Sequence, residues 1–195
     1  MEQLHILSRS YGRPPRQQTI ELFVRGPALL SESLRACPKK MWLYRPAPDR
    51  WSIHEIILHL ADSEAGAYIR SRQFIVEPGS DALDHSASTW AASLGYFHQS
   101  TRDALGLISR LRKMTCRLLR FLPDPVWSHT MKLPKEGLLT LEQWLEKQAG
   151  HIPHHVGQIQ QNWNDWSKTH RQRRPATRPL RAPHSDAEAV LSPLA

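Results

Sequence analysis

The chain has 195 residues, 40% of them hydrophobic, which suits one domain with its own core plus a tail. No run of eighteen apolar residues exists, so a membrane span is excluded, and Met1 to Ser10 lacks the basic start and apolar stretch of a secretion signal. The formal charge is +8, but the stretch from Asn164 to Ala195 alone holds six basic against three acidic residues. The rest of the excess is spread along presumed helix faces, which reads as a solvated surface rather than a nucleic-acid site.

Seven tryptophans and few valines favour helices over strands. Residues 1–16 read as an irregular N-terminal segment, broken by Gly12, Pro14 and Pro15. A first helix is predicted from Gln17 to Ala36, on the spacing of Ile20, Phe23, Val24, Leu30 and Leu34, with a kink or restart at Gly26-Pro27. Ser52-Ile53-His54-Glu55 is a capping box and opens a second helix from Ile53 to Val76. A short helical turn is expected near Trp90. A third long helix is predicted from Tyr96 to Phe121, with Leu105, Ile108, Leu111, Leu118 and Leu119 inside and Arg102, Arg110, Arg112 and Lys113 in water. The segment 124–139 has room for a turn or a short strand pair. Thr140-Leu141-Glu142-Gln143 is a second capping box, opening a fourth helix from Leu141 to Trp163 that Pro153 should bend near Gly150.

The pattern dissolves after Trp166. Residues 167–195 therefore read as a basic, Pro- and Arg-rich disordered tail, and 17–166 as the folded domain. Four helices of this length make an all-α four-helix bundle. Cys37 and Cys116 form no CxxC pair, which excludes a zinc ribbon or redox dithiol. They read as small buried apolar residues in a cytoplasmic protein.

The chemistry lies in the histidines, of which there are eleven. His151 and His155 stand four residues apart on the fourth helix, so they project from one face and can grip one metal ion. His154 is the alternative to His155. His59 lies among apolar neighbours on the second helix, where an imidazole needs a buried partner.

Trp51-Ser52, Glu55 and His59-Leu60-Ala61-Asp62, followed by His151-x-x-x-His155-x-x-Gln158-Ile159, resemble the DinB-like superfamily over roughly residues 17 to 163. That group takes in the YfiT-type metal-dependent hydrolases and the bacterial thiol S-transferases. The resemblance implies up-down-down-up helix order, frequent homodimers, and one divalent ion, zinc or nickel, on His59, His151 and His155.

Three neutral imidazoles leave such an ion its full charge and open positions. It can then activate a water for hydrolysis or a low-molecular-weight thiol for transfer. The expected partner is a small-molecule substrate, a thiol among the candidates; neither a membrane nor nucleic acid is expected. The alternative is a non-catalytic metal- or small-ligand-binding stress-response protein. Asp62, one turn from His59, is the candidate carboxylate to fix an imidazole tautomer, with a surface or inter-helix salt bridge as its other reading. Glu55 is accounted for by the capping box. Gln158 reads either as support for a ligand or as bundle packing. Tyr96, His98 and His129 are candidates for a pocket mouth.

Overall fold

Ser52 starts helix α2 (Ile53–Val76) as its sequence demands. Its Oγ accepts the Glu55 N–H at 3.3 Å, and the Glu55 carboxylate accepts the Ser52 N–H at 2.9 Å. The computed structural model to which this helix belongs describes residues 15–83 and 86–172. The other helices are α1 (Arg16–Arg35), α3 (Ala87–Ser93), α4 (Thr101–Leu119) and α5 (Leu141–Gln172). A two-stranded antiparallel hairpin, β1 (Thr130–Leu133) and β2 (Gly137–Thr140), fills the connection before α5. Thr140 and Gln143 then cap α5 reciprocally, at 2.9 and 3.2 Å.

The helix directions follow from contacts at their ends. Arg16 and Glu142, at the starts of α1 and α5, are hydrogen-bonded, so these helices run the same way. Arg50, just before α2, reaches Asn162 and Asp165 late in α5, so α2 runs against α5. Tyr96, before α4, meets His54 and Asp62 in the first half of α2, so α2 and α4 are parallel. The order is up-down-down-up. α1 packs on α4 and α5, and α2 packs on the same two from the other side.

Two apolar clusters make the core, one around Leu30, Ile57, Leu60, Ile108 and Ile152, the other around Phe23, Phe74, Leu119 and Trp144. At the level between them lies Arg112, 1% exposed. Its guanidinium donates to Glu64 at 2.8 Å, to the Phe23 carbonyl at 2.8 Å and to the Gln148 carbonyl at 3.1 Å, tying together all four long helices. Gly26 is where α1 passes this group; a Cβ there would collide with Arg112 Nη1.

Several boundaries differ from those the sequence predicts. α4 begins at Thr101 because Ser100 Oγ accepts the Asp103 N–H at 3.2 Å; Tyr96–His98 is a separate 3₁₀ turn. Arg112 belongs to the core, not the wet face, and Val24 is exposed. α1 and α5 continue through Pro27 and Pro153, with no restart at Gly26-Pro27. α5 also passes Trp166 and reaches Gln172. The His170 ring stacks on Trp166 at 4.0 Å, and its Nδ1–H donates to the Trp166 carbonyl. The remainder of the predicted tail, and residues 1–14 of the N-terminal segment, lie outside the described residues. Cys37 and Cys116 are buried free thiols, and burial pushes Cys116 up to about 11. No helix among the described residues is long and apolar enough to cross a membrane.

The cap makes a local test. Ser52→Ala is expected to cost about 1 kcal/mol in chemical denaturation, because the Glu55 N–H loses its acceptor. An unchanged midpoint would mean that water replaces the hydroxyl at no cost.

Candidate metal centre

His59 sits on α2 between buried Leu58 and Leu60, and α2 lies against the face of α5 that carries His151 and His155 on successive turns. The three imidazoles meet. Ring centroids are 5.4 Å apart for His59–His151, 4.9 Å for His59–His155 and 4.7 Å for His151–His155. One nitrogen from each lies within 4.8 Å of the others. A tetrahedral ion with bonds of about 2.1 Å needs donor nitrogens about 3.4 Å apart. The His151 and His155 Nε2 atoms, 3.1 Å apart, already satisfy this.

Gln158 sorts out the two adjacent histidines. Its Oε1 accepts the His155 Nδ1–H at 2.8 Å, which leaves the His155 Nε2 lone pair turned toward His151. Its amide N–H donates to His154 Nε2 at 3.2 Å, on the exposed side of α5. His155 thus stands in the group of three and His154 beside it. His151 Nδ1, on the far side of the ring, is buried without a hydrogen-bond partner among the described residues.

The electrostatics favour neutral donors. Burial pushes His155 down to about 4, with His154 adding to the shift and Gln158 opposing it. Burial pushes His151 further down, helped by His155, His59, Arg112 and His154. Metal binding needs unprotonated imidazoles, and these are unprotonated at neutral pH.

A pH dependence follows. The unfolded chain takes up protons near the ordinary imidazole value of 6.5, whereas the folded chain resists them. Stability is therefore complete above that value and is lost as the pH falls from about 6.5 toward the folded values, about 4 for His155 and lower for His151, by up to about 1.4 kcal/mol per pH unit for each histidine. Melting of the metal-free protein across this range checks the sign; a melting temperature that rises on acidification would contradict it.

The group is reached from two sides. A cleft of about 250 Å³ is lined by His59, Ser63, Trp144 and His151, among others. A second, of about 310 Å³, is lined by Trp51, His155 and Gln158. The Trp51 ring lies 4.8 Å from His59, and Ser63 Oγ lies 3.5 Å from His59 Nε2.

The remaining predicted residues fall as follows. Asp62 accepts the Tyr96 hydroxyl, whose pKa is raised by burial and then by this carboxylate. Glu55 completes the α2 cap and pairs with Arg45. His129 Nδ1–H donates to the Phe74 carbonyl at 2.9 Å, and His98 meets the Phe97 ring edge-on; neither lines the two clefts. Sequence reasoning missed the Glu64–Arg112 pair. The signal was present: Arg112 is four residues from both Ile108 and Cys116, on the apolar stripe of α4.

The sequence pattern of the DinB superfamily matches residues 22–159. A protein of Oceanobacillus iheyensis named "Putative metal-dependent hydrolase" is 32% identical over 109 residues, 56% of this chain; the match spans 63% of that relative's length. "Putative metal-dependent hydrolase YfiT" of Bacillus subtilis is 24% identical over 152 residues, 77% of this chain and 85% of its own. The solved structure of YfiT, described as a probable metal-dependent hydrolase with an unusual four-helix bundle topology, superposes with a TM-score of 0.73 at 21% identity. It covers 82% of this chain and 91% of YfiT. A mycothiol-dependent maleylpyruvate isomerase shares the fold more distantly, with a TM-score of 0.62 at 12% identity over 75% of this chain and 61% of its own. The pattern match takes in α2 and α5 as far as Ile159, and with them all three imidazoles: this chain belongs to the DinB superfamily.

Proposed function

We propose that His59, His151 and His155 hold one divalent metal ion, zinc or nickel, and that the protein is a metal-dependent enzyme, either a hydrolase or a thiol S-transferase. The observation that carries this reading is the convergence of three buried or half-buried imidazoles from two helices, with one nitrogen each within 4.8 Å of the others. A bound ion of this kind lowers the pKa of a water or thiol beside it toward about 7 and so supplies a nucleophile near neutrality.

The protein's own residues do the rest. Gln158 keeps the proton of His155 on Nδ1. Trp51 covers His59 and limits water on that side. Ser63 Oγ is placed to orient a polar group near His59 Nε2. Asp62 holds the Tyr96 hydroxyl, joining the turn before α4 to the middle of α2. A closed structural site takes four protein ligands, whereas the group among the described residues has three, with clefts beside it. This supports a catalytic rather than a purely structural role. The choice of zinc or nickel, a thiol as co-substrate, homodimer formation and a cytoplasmic location belong to the same proposal, in line with the family.

Elemental analysis of the purified chain, paired with thiol-conjugation and ester-hydrolysis assays before and after chelation, tests it. About one ion per chain is expected, with an activity that chelation removes and metal restores. A chain that takes up no divalent metal would refute the reading.

A further inference from the structure

Between α1 and α4 runs a furrow, on the side of the bundle away from the three imidazoles, which α2 and α5 carry. It consists of two adjoining hollows, of about 500 and 260 Å³, that share Pro27, Ala28 and Ser109. The floor is largely apolar, and Val24 on its α1 side is 38% exposed. Lys113, Arg117 and Arg120 stand along the α4 edge, spaced as neighbours on one helix face. All three are exposed, and none has an ion-pair partner among the described residues. No carboxylate lines either hollow.

An apolar floor with a cationic edge fits an acidic, amphipathic segment. The chain's own sequence supplies one. The basic character of the tail stops at Arg181: residues 182–195 hold no lysine or arginine, and their charged side chains are Asp186 and Glu188. Ser185-x-x-Glu188 is a capping-box pattern, and Ala187, Val190 and Leu191 keep helical spacing before Pro193. Residues 1–14 offer Leu4, Ile6 and Leu7, but with two arginines against one glutamate they have the wrong sign of charge.

The tether reaches. α1 and α5 start level and run the same way, so Gln172 lies ~30 Å from the furrow, at ~1.5 Å of rise per residue and ~8–10 Å between axes. Residues 173–185 span up to ~43 Å when extended. Such a tether holds the segment at about millimolar effective concentration, so a contact too weak for a free peptide is still filled.

We propose that residues 185–191 dock as a short helix in the α1–α4 furrow of the same chain. Val190 and Leu191 cover Val24, Pro27 and Ala28, while Asp186 and Glu188 face Lys113, Arg117 and Arg120. The metal-centre reading plays no part in this.

Zero-length carbodiimide cross-linking of the dilute full chain, mapped by mass spectrometry, tests the proposal. Asp186 or Glu188 is expected to join Lys113 in preference to Lys40 and Lys132, exposed lysines away from the furrow, and added salt is expected to weaken the link. Val190→Ser/Leu191→Ser keeps both reacting groups, yet is expected to cut the Lys113 link about fivefold or more. Arg117→Ala/Arg120→Ala is expected to cut it as well. Equal linking to all three lysines, or a Lys113 link that survives Val190→Ser/Leu191→Ser, overturns the proposal. So does a Lys113 link that joins two chains, which would make the furrow a contact between copies. A link from Glu2 to Lys113 overturns it too, by seating residues 1–14 there.

Discussion

Replacing His151 by alanine is expected to strip the protein of its metal, from about one ion per chain to background in elemental analysis after gel filtration. His151 is one corner of the triangle of imidazoles, its ring centroid 5.4 Å from that of His59 and 4.7 Å from that of His155. Its loss leaves two imidazoles on different helices, too few donors for an ion that binds through three protein ligands. The fold should tolerate the change in the metal-free state. His151 brings one buried nitrogen without a partner, so the variant removes an unsatisfied polar atom as well as packing. The informative control is His154→Ala, one residue from His155 but on the exposed side of α5. It is expected to keep its metal. Equal metal in wild type and His151→Ala would refute the assignment.

The second large effect is on stability. Arg112→Ala is expected to cost about 3–5 kcal/mol, because it leaves Glu64 and two backbone carbonyls without their buried donor. For a chain of this size that lowers the melting temperature by roughly 6–20 °C. Glu64 is 2% exposed; burial pushes its carboxyl up and Arg112 pulls it back down. Without the guanidinium it would take a proton rather than stay charged in the core. Metal affinity should fall as well, since Arg112 joins Glu64, five residues after His59, to Gln148, three residues before His151. Thermal melting of the metal-free variant, followed by metal titration, separates the two effects. A loss below about 1 kcal/mol would show that water readily replaces the guanidinium.

Local signals were the legible ones. Ser52 with Glu55 and Thr140 with Gln143 specify helix starts within four residues, and both caps form. The i, i+4 spacing of His151 and His155 fixes their shared face whatever the helix packs against. The placing of His59 beside them needed the family resemblance, because no local rule brings α2 to α5. Arg112 stayed hidden for a related reason. Its partner Glu64 is 48 residues away, and Arg110 and Lys113 around it are solvated as basic residues usually are. The start of α4 was misplaced because Tyr96 looks like the first apolar helical residue. Ser100, whose Oγ accepts from Asp103, is the true boundary.

X-ray absorption at the metal edge of the loaded protein tests the central claim most directly. The predicted spectrum has three imidazole nitrogens at about 2.0–2.1 Å, with light scatterers completing the coordination, and the His59→Ala protein fails to hold the ion. With no thiol added, sulfur in the coordination shell, or fewer than three imidazoles around the ion, would contradict the account.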